Sequence, residues 1–217
     1  MHIPAELSFQ DFISSYGPVP SGFVSLFMSI QTDPQNWSIP QASYILATVK
    51  HETANTYRCI EEQAPHPAPA PPGSSHAEVE AFHQAAAEAY FNGRYGTPPL
   101  SRILGNVGRG DGYRFRGRGF RQITGRANYR RFAAVLHLGL VSNPGLANNP
   151  EISFQILSVG LARGLFTGKR LSEYINDEMR DFVNARRVLN GLDCARGIAA
   201  DAAEFQRCFE HATAQPI

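Results

Sequence analysis

Lysine is nearly absent from this chain of 217 residues. Lys50 and Lys169 are the only two, so 18 of the 20 basic side chains are arginines. Residues 102–131 contain nine arginines and one acid, Asp111, and their local net charge is +8 (9 − 1), whereas the whole chain carries +1. Such a stretch favours an anionic polymer or a ligand with many hydrogen-bond acceptors.

Cysteine is also scarce. The three cysteines, Cys59, Cys194 and Cys208, are odd in number and far apart, which argues against a disulfide framework or a zinc site and favours synthesis in a reducing cytoplasm. The first lysine or arginine is Lys50, so we expect no signal peptide. The apolar stretch 23–30 is too short to span a bilayer, and we expect no stable membrane insertion.

Several catalytic signatures are missing. The chain has neither a phosphate-binding G-x-x-x-x-G-K-[ST] loop nor a nucleophile-elbow G-x-S-x-G, so phosphoryl transfer and serine hydrolysis have no support. His51 and Glu52 lack the second histidine of an H-E-x-x-H zinc helix. We therefore expect neither a metal nor a cofactor.

The fold class follows from composition and periodicity. Hydrophobic residues make up 43% and charged residues 18%, which is enough apolar material for a core. Caps and periodic apolar residues predict two short strands within 115–124 and helices over 9–16, 22–30, 40–52, 76–91, 127–140, 150–166, 178–189 and 196–212. The predicted N-caps are Ser8, Ser21 and Ser75, the last in a capping box with Glu78, and Asn92-Gly93 is the predicted stop after residue 91. Within 40–52, the spacing of Tyr44, Ile45, Thr48 and Val49 predicts one buried face. We predict one mainly α-helical α+β catalytic domain, 1–217, in which residues 1–39 form N-terminal helices packed on the remainder.

One segment has low complexity. Residues 64–73 contain five prolines, which favour extended geometry and exclude a helix. We interpret 64–74 as an exposed loop insert.

Three acidic residues are candidates for acid–base chemistry. Glu52 leaves an apolar helix beside His51, and desolvation favours the protonated form of a carboxyl group, as a proton donor requires. Glu61 and Glu62 follow nine and ten residues later. Glycoside hydrolysis commonly uses two carboxyl groups, although a helix-end ion pair and a solvated acidic pair would look the same.

The segment 113–129 is rich in glycine, arginine and aromatic residues. Glycines allow a ligand to approach the backbone closely, and Gln122, Thr124 and Asn128 suit sugar hydroxyls, acetamido groups or a bound water. Nucleic-acid binding is the rival interpretation. Because the chain as a whole is nearly neutral, we expect no nucleic acid.

Three blocks in this order resemble the family 19 glycoside hydrolases, in particular the compact phage and bacterial endolysins related to plant chitinases. The blocks are His51-Glu52-Thr53-Ala54 with Ile60-Glu61-Glu62, then Tyr90 to Tyr129 with its Leu104-Gly105-Asn106 and Gly110 to Gly119 motifs, and Asn184 to Asp193. The resemblance implies a lysozyme-like, two-lobed, mainly helical fold. It also implies inverting hydrolysis of β-1,4 bonds in N-acetylated polysaccharides.

The resemblance also implies site residues. Glu52 matches the general acid, Glu62 the carboxylate that activates water, with Glu61 as a fallback, and Thr124 the hydroxyl that helps to place that water. An inverting enzyme needs its carboxyl groups about 6.5–9.5 Å apart. Ten residues on one helix would separate them by about 15 Å, so the mechanism requires a loop between them.

Gln122, Asn128 and Asn190 match substrate-binding positions of the family. We add His51, Arg118 and Tyr129 to the candidate substrate-binding residues.

The sequence departs from the family at two places. Gln63-Ala64 and the proline-rich insert stand where phage relatives have an aromatic residue and a glycine. Plant members place a Glu after the Asn-Gly motif and an Arg in the last helix, both near the acid. Here Asp193 stands one residue closer to that motif, and 198–203 contains no arginine.

The functional hypothesis is a monomeric peptidoglycan hydrolase of the muramidase or endolysin type. It would be made in the bacterial cytoplasm and would act on the cell wall after release or delivery, with the arginine-rich stretch facing anionic wall polymer. A chitinase is the close alternative, and a non-catalytic peptidoglycan-binding module is the second class. A module would bind sacculi without cleaving them.

Overall fold

A computed structural model describes residues 7–65 and 69–214 of the chain. Within these ranges there are two short strands, β1 (Ile60–Glu61) and β2 (Arg118–Gly119), and three 3-10 helices, Pro144–Asn148, Leu171–Glu173 and Arg186–Val188. The α-helices are α1 (Phe9–Tyr16), α2 (Ser21–Gln31), α3 (Ile39–Glu52), α4 (His76–Tyr95), α5 (Leu100–Leu104), α6 (Asp111–Arg114), α7 (Arg126–Leu136), α8 (Pro150–Arg163), α9 (Phe182–Ala185) and α10 (Ala195–Ala214). The predicted mainly helical α+β class is confirmed.

Local capping explains where the first helices begin. Ser8 accepts a hydrogen bond from the Gln10 backbone N–H and starts α1 as predicted. Ser21 is the first residue of α2 rather than its cap, because Pro20 holds the extended capping position. Ser38 and Gln41 form a capping box that starts α3 at Ile39, one residue before the predicted Pro40.

The chain divides into two compact units. The first comprises residues 7–58 and 150–214, and α3 packs along α10 in its centre. Ten of the fourteen residues of α3 are buried, so this helix is covered on nearly all sides and not on the single face that its spacing predicted. A cluster of buried phenylalanines fills the core beside it: Phe12, Phe23, Phe27, Phe205 and Phe209.

The second unit comprises residues 59–149. Its two strands are antiparallel, and Ile60 pairs with Gly119 while Glu61 pairs with Arg118. The Glu62 backbone N–H then donates to the Gly117 carbonyl oxygen at 2.9 Å. This pairing places Glu61 and Glu62 directly against the glycine- and arginine-rich segment.

The end of α4 differs from the prediction. The Asn92-Gly93 pair suggested a stop near residue 91, but the helix continues to Tyr95. Phe91 and Tyr95 are buried and stacked with ring centroids 6.0 Å apart, and Asn92 accepts a hydrogen bond from the Tyr113 N–H. A glycine inside a helix costs only about 1 kcal/mol, which this packing outweighs.

Two further expectations are corrected. The segment 115–124 contains one strand, β2, which pairs with β1, and the predicted second strand is reduced to a single antiparallel bridge between Arg118 and Ile123. Positive φ angles at Gly119 (+81°) and Gln122 (+52°) turn the chain there. Residues 178–181 are not helical, because the Asp181 side chain accepts from the Asn184 N–H and starts the short α9.

The remaining expectations concern cysteines, membranes and the proline-rich insert. Cys59, Cys194 and Cys208 form no disulfide. In the described part of the chain, no helix has the length and apolar character to cross a bilayer. Residues 1–6 and, within the insert, 66–68 lie outside the described residues, and Pro65 and Pro69 beside them are exposed.

Asp111 is the main buried acid of the second unit. Its carboxylate accepts two hydrogen bonds from Arg126, each at 2.7 Å, and further ones from the Val107 and Gly108 N–H groups. The Arg126 hydrogen bond is the main reason why the pKa of this carboxyl lies below its usual value, and the backbone N–H groups add to it against the opposing effect of burial. Asp111 therefore ties the α5–α6 turn to the start of α7.

Replacing Asp111 with asparagine is expected to lower the free energy of unfolding by about 1–3 kcal/mol at pH 7. A lowered folded-state pKa stabilises the fold above the unfolded value, near pH 4, and this contribution is lost as pH falls through the folded value. The difference in the free energy of unfolding between wild type and variant should therefore become smaller at acidic pH. Urea unfolding at pH 7 and pH 3 measures it, and the exposed Asp177→Asn serves as control. An equal difference at both pH values would contradict the assignment.

Candidate active site

In the first unit, the last residue of α3 carries a carboxylate. Glu52 Oε1 accepts a hydrogen bond from Arg186 Nη1 at 2.6 Å, and the Glu52 side chain is 14% exposed. Helix α3 is capped and largely buried, and it places Glu52 at its carboxyl end, where the Arg186 guanidinium binds the carboxylate. His51 beside it is exposed, as is Asn190, which follows the Arg186–Val188 turn.

Arg186 links two acids. It is 2% exposed, and its Nη2 donates to Asp193 Oδ2 at 3.1 Å while its Nε donates to the Asp193 carbonyl oxygen. Burial by itself would lower the pKa of Arg186, but the hydrogen bond and charge of Glu52, followed by those of Asp193, raise it above its usual value. The same contact holds the pKa of the Asp193 carboxyl below its usual value. Arg186 is therefore a fixed positive charge beside Glu52.

Sequence reasoning missed Arg186. The family resemblance points to an arginine within 198–203, near the acid, whereas the structure supplies a guanidinium from the 3-10 helix before Asn190. The Arg186-Arg187 pair was visible, but nothing in the sequence separates the buried arginine from its exposed neighbour.

In the second unit, Glu62 lies immediately after β1. Its Oε1 accepts a hydrogen bond from the Tyr95 hydroxyl at 2.7 Å, and its Oε2 accepts one from the Gly117 N–H at 3.1 Å. Burial, followed by the hydrogen bond to Glu62, raises the pKa of Tyr95 to about 12. The extension of α4 to Tyr95 is what brings this phenol to the carboxylate.

Glu61 has different surroundings. It accepts from Arg118 Nε at 2.6 Å and from Arg116 Nη2 at 2.7 Å, and so it joins β1 to the arginines of the β2 segment. Neither carboxylate oxygen of Glu62 has an arginine partner of this kind among the contacts above. The geometry therefore separates an acid paired with two arginines, Glu61, from an acid held by neutral groups, Glu62.

Gly117 is the point where three polar side chains converge. A Cβ added there would lie 2.7 Å from Gln122 Oε1, 3.1 Å from Glu62 Oε2 and 3.3 Å from Thr124 Oγ1. Only glycine leaves this space open. The three side chains predicted from sequence as base, water-placing hydroxyl and substrate-binding amide thus meet around this one glycine.

The loop after Gly117 is held by its own side chains. Gln122 donates through Nε2 to the Ile60 carbonyl oxygen and, at 2.9 Å, to that of Gly119. Thr124 Oγ1 donates to the Gln122 carbonyl oxygen, and Asn128 Nδ2 donates to the Thr124 carbonyl oxygen. These bonds position the Thr124 hydroxyl next to Glu62.

Two predicted substrate-binding residues are buried. Tyr129 is 0% exposed and its hydroxyl donates to the Arg116 carbonyl oxygen, and Arg118 is 6% exposed and contacts Glu61 and Tyr129. Their placement assigns them to the support of the β2 loop rather than to contact with a substrate.

The arginine-rich stretch does not face outward as a whole. Arg116 and Arg118 bind Glu61, Arg126 binds Asp111, and Arg114 donates to the carbonyl oxygens of 141 and 142. The prediction that the stretch faces an anionic polymer is thus corrected for Arg116, Arg118 and Arg126, which pair with acids of the second unit. Arg114 remains exposed despite its two carbonyl contacts. Four other arginines of the stretch are exposed: Arg102, Arg109, Arg130 and Arg131.

The described ranges contain no group of three His, Cys, Asp or Glu side chains that could hold a metal ion. The polar groups at Glu62, Gln122 and Thr124 suit a hydroxylated ligand or a bound water. The molecule is thus a mainly helical protein in which Arg186 holds Glu52 of the first unit, and Tyr95 and the Gly117 N–H hold Glu62 of the second.

This is the fold of the family 19 chitinases. The chain is similar to a bacterial family 19 chitinase at 17% sequence identity, with a TM-score of 0.50 over 97% of this chain and 96% of that one. It is also similar to chitinase C from Streptomyces griseus at 18% identity, with a TM-score of 0.52 over 95% of this chain and 75% of that one. Comparison with protein families and with curated proteins gives no match. The resemblance stated from the sequence is thereby confirmed for the fold.

Proposed function

We propose that this protein is a glycoside hydrolase that cuts β-1,4 bonds of N-acetylated polysaccharides with inversion. The observation that carries the proposal is the setting of Glu62, which is held by Tyr95 and Gly117 with Thr124 and Gln122 converging beside it. The family 19 chitinase fold supports the same class of reaction.

In the proposed mechanism, Glu52 donates a proton to the glycosidic oxygen and Glu62 accepts a proton from the attacking water. Arg186 keeps the Glu52 side chain in one orientation through the 2.6 Å contact. The Thr124 hydroxyl helps to orient the water, and the Tyr95 hydroxyl fixes the Glu62 carboxylate. General acid–base catalysis of this kind contributes about 10²–10⁴-fold to the rate.

We propose the glycan strand of peptidoglycan as the substrate. The second unit has ten arginines and six acids, a net charge of +4 (10 − 6). One exposed cation, Arg94, lies 5.2 Å from the ring of Tyr95, the residue that holds Glu62. Lactyl and peptide carboxylates of peptidoglycan would complement this charge, whereas chitin is neutral. The chitinases of the same fold favour chitin as the second candidate.

Mass analysis of fragments released from purified sacculi tests the substrate. Disaccharide-peptides with a reducing N-acetylmuramic end are expected, with the Glu52→Gln variant as the blank. If the enzyme released N-acetylglucosamine oligomers from chitin and left sacculi intact, the substrate would be chitin and not peptidoglycan. Sacculus binding without release from either polymer would support a non-catalytic module.

Replacing Arg186 with lysine is expected to lower kcat about 10–100-fold, because one ammonium cannot bridge Glu52 and Asp193 as the guanidinium fork does. The pH dependence of kcat should change as well, since the charge beside Glu52 moves. The matched control is the exposed neighbour Arg187→Lys, which should leave both unchanged. Equal kinetics in the two variants would show that Arg186 has no role in catalysis.

Replacing Gly117 with alanine is expected to lower the rate at least about tenfold, because the added methyl group displaces Glu62 or Gln122. The control is Gly93→Ala in α4, where an added Cβ meets nothing within 4 Å. Initial rates and thermal unfolding of both variants separate a displaced carboxylate from general destabilisation. An active Gly117→Ala enzyme would mean that the site does not need this close approach.

A further inference from the structure

Two aliphatic side chains stand out on the surface of the second unit. Ile103 is 75% exposed and Val107 is 87% exposed, more than any other large hydrophobic residue that the structure describes. Ile103 lies near the end of α5, and Val107 follows four residues later in the turn between α5 and α6. Exposed apolar side chains cost free energy in water and mark interaction surfaces when they are grouped.

The turn that presents them is firmly built. Asn106 between them is buried, donates to the Tyr95 carbonyl oxygen and accepts from the Arg126 N–H. Gly105 lies so close to Ala127 that an added Cβ would be 2.9 Å from the Ala127 Cβ. The Val107 N–H donates to Asp111. The backbone is therefore anchored while the two aliphatic side chains remain outside.

Positive charge surrounds the pair. Arg102 and Arg109 flank the turn and are exposed. Arg130, also exposed, lies three residues after Ala127 on α7, the helix whose start contacts Gly105. Asp111 is the one acid between residues 96 and 149, and it is buried and paired with Arg126. The segment 96–149 therefore contributes no exposed acid to the surface around the turn.

We propose that this turn is a docking site for an anionic lipid bilayer. Ile103 and Val107 enter the interface between headgroups and acyl chains, and the surrounding arginines contact lipid phosphates. Lipid is favoured over a polysaccharide because two aliphatic side chains offer nothing to sugar hydroxyls. Attachment of this kind is peripheral and uses a short turn rather than a spanning helix.

Vesicle sedimentation tests the docking site. The wild type is expected to sediment with vesicles of phosphatidylcholine and phosphatidylglycerol, and much less with phosphatidylcholine alone. The Ile103→Ser/Val107→Ser variant should bind the anionic vesicles about tenfold or more weakly. The Arg102→Gln/Arg109→Gln variant should lose about fivefold per arginine. The control Met28→Ser/Met179→Ser changes two exposed apolar side chains of the first unit and should bind like wild type.

Fluorescence tests whether the turn enters the bilayer. The chain has one tryptophan, Trp37, which is buried, so an Ile103→Trp variant adds a single exposed reporter. Its emission should shift to the blue with anionic vesicles and be quenched by lipids brominated on the acyl chains. Absence of both effects would overturn the proposal.

The outcome is independent of the proposed hydrolase activity. The Ile103→Ser/Val107→Ser variant should cleave isolated glycan at the wild-type rate, because neither side chain is placed in the site. If this variant sediments with vesicles like wild type, or if it loses binding to purified sacculi instead, the turn is not a lipid-docking site.

Discussion

Replacement of Glu52 by glutamine is expected to lower the rate of glycan cleavage about 10²–10⁴-fold, because an amide cannot donate the proton that the leaving oxygen needs. Glutamine has the same shape and keeps an oxygen for Arg186 Nη1, which now contacts Glu52 at 2.6 Å. Asp193 still provides a counter-charge for the guanidinium. The variant should therefore fold and bind substrate, so the loss should appear in kcat rather than in KM.

Initial rates on the substrate that the wild type cleaves measure this effect. The control is Glu204→Gln, an exposed acid on α10 in the same unit, which should retain full activity. Urea unfolding of both variants verifies that the folded fraction is unchanged at assay conditions. If Glu52→Gln kept more than about a tenth of the wild-type rate, Glu52 would not be the general acid.

Replacement of Glu62 by glutamine is expected to have an effect of similar size, about 10²–10⁴-fold, because the attacking water loses its proton acceptor. The Tyr95 hydroxyl and the Gly117 N–H can both still donate to the glutamine oxygen. The fold should therefore be little affected. An added small anion such as azide, which can replace the water as nucleophile, provides a second readout that a structural defect would not restore.

The neighbouring Glu61→Gln variant is the matched control and decides which acid is the base. It breaks the ion pairs with Arg116 and Arg118, and Arg118 is 6% exposed, so the free energy of unfolding should fall by about 1–3 kcal/mol. Per folded molecule, its activity should stay within a few-fold of wild type. The opposite pattern, an inactive Glu61→Gln and an active Glu62→Gln, would make Glu61 the base.

The sequence predicted those parts of the fold that depend on neighbouring residues. Ser8 and the Ser75–Glu78 capping box start α1 and α4 as expected, because a cap requires only side chains within three residues. The position of Glu52 at the end of α3 follows in the same way. The prediction from sequence was wrong at Asn92-Gly93, because burial of Tyr95 extends α4 beyond this local stop signal.

In the candidate site, too, residue types could be predicted from the sequence, whereas their contacts could not. Glu52, Glu62, Gln122 and Thr124 could be named from their residue types and order, and the structure groups the last three around Gly117. It also gave Arg118 and Tyr129 positions inside the protein, where their hydrogen bonds support the β2 loop.

By itself, then, the sequence determined the helical class, the main caps and the candidate carboxylates, because these depend on composition and on short spacings. The tertiary structure alone decided that Arg186 pairs with Glu52, 134 residues away, and that Tyr95 holds Glu62, 33 residues away. It alone decided which arginines turn inward to acids and carbonyls and which remain outside. Contacts between distant segments form only when the packed core sets the positions of both partners, and no local pattern records them.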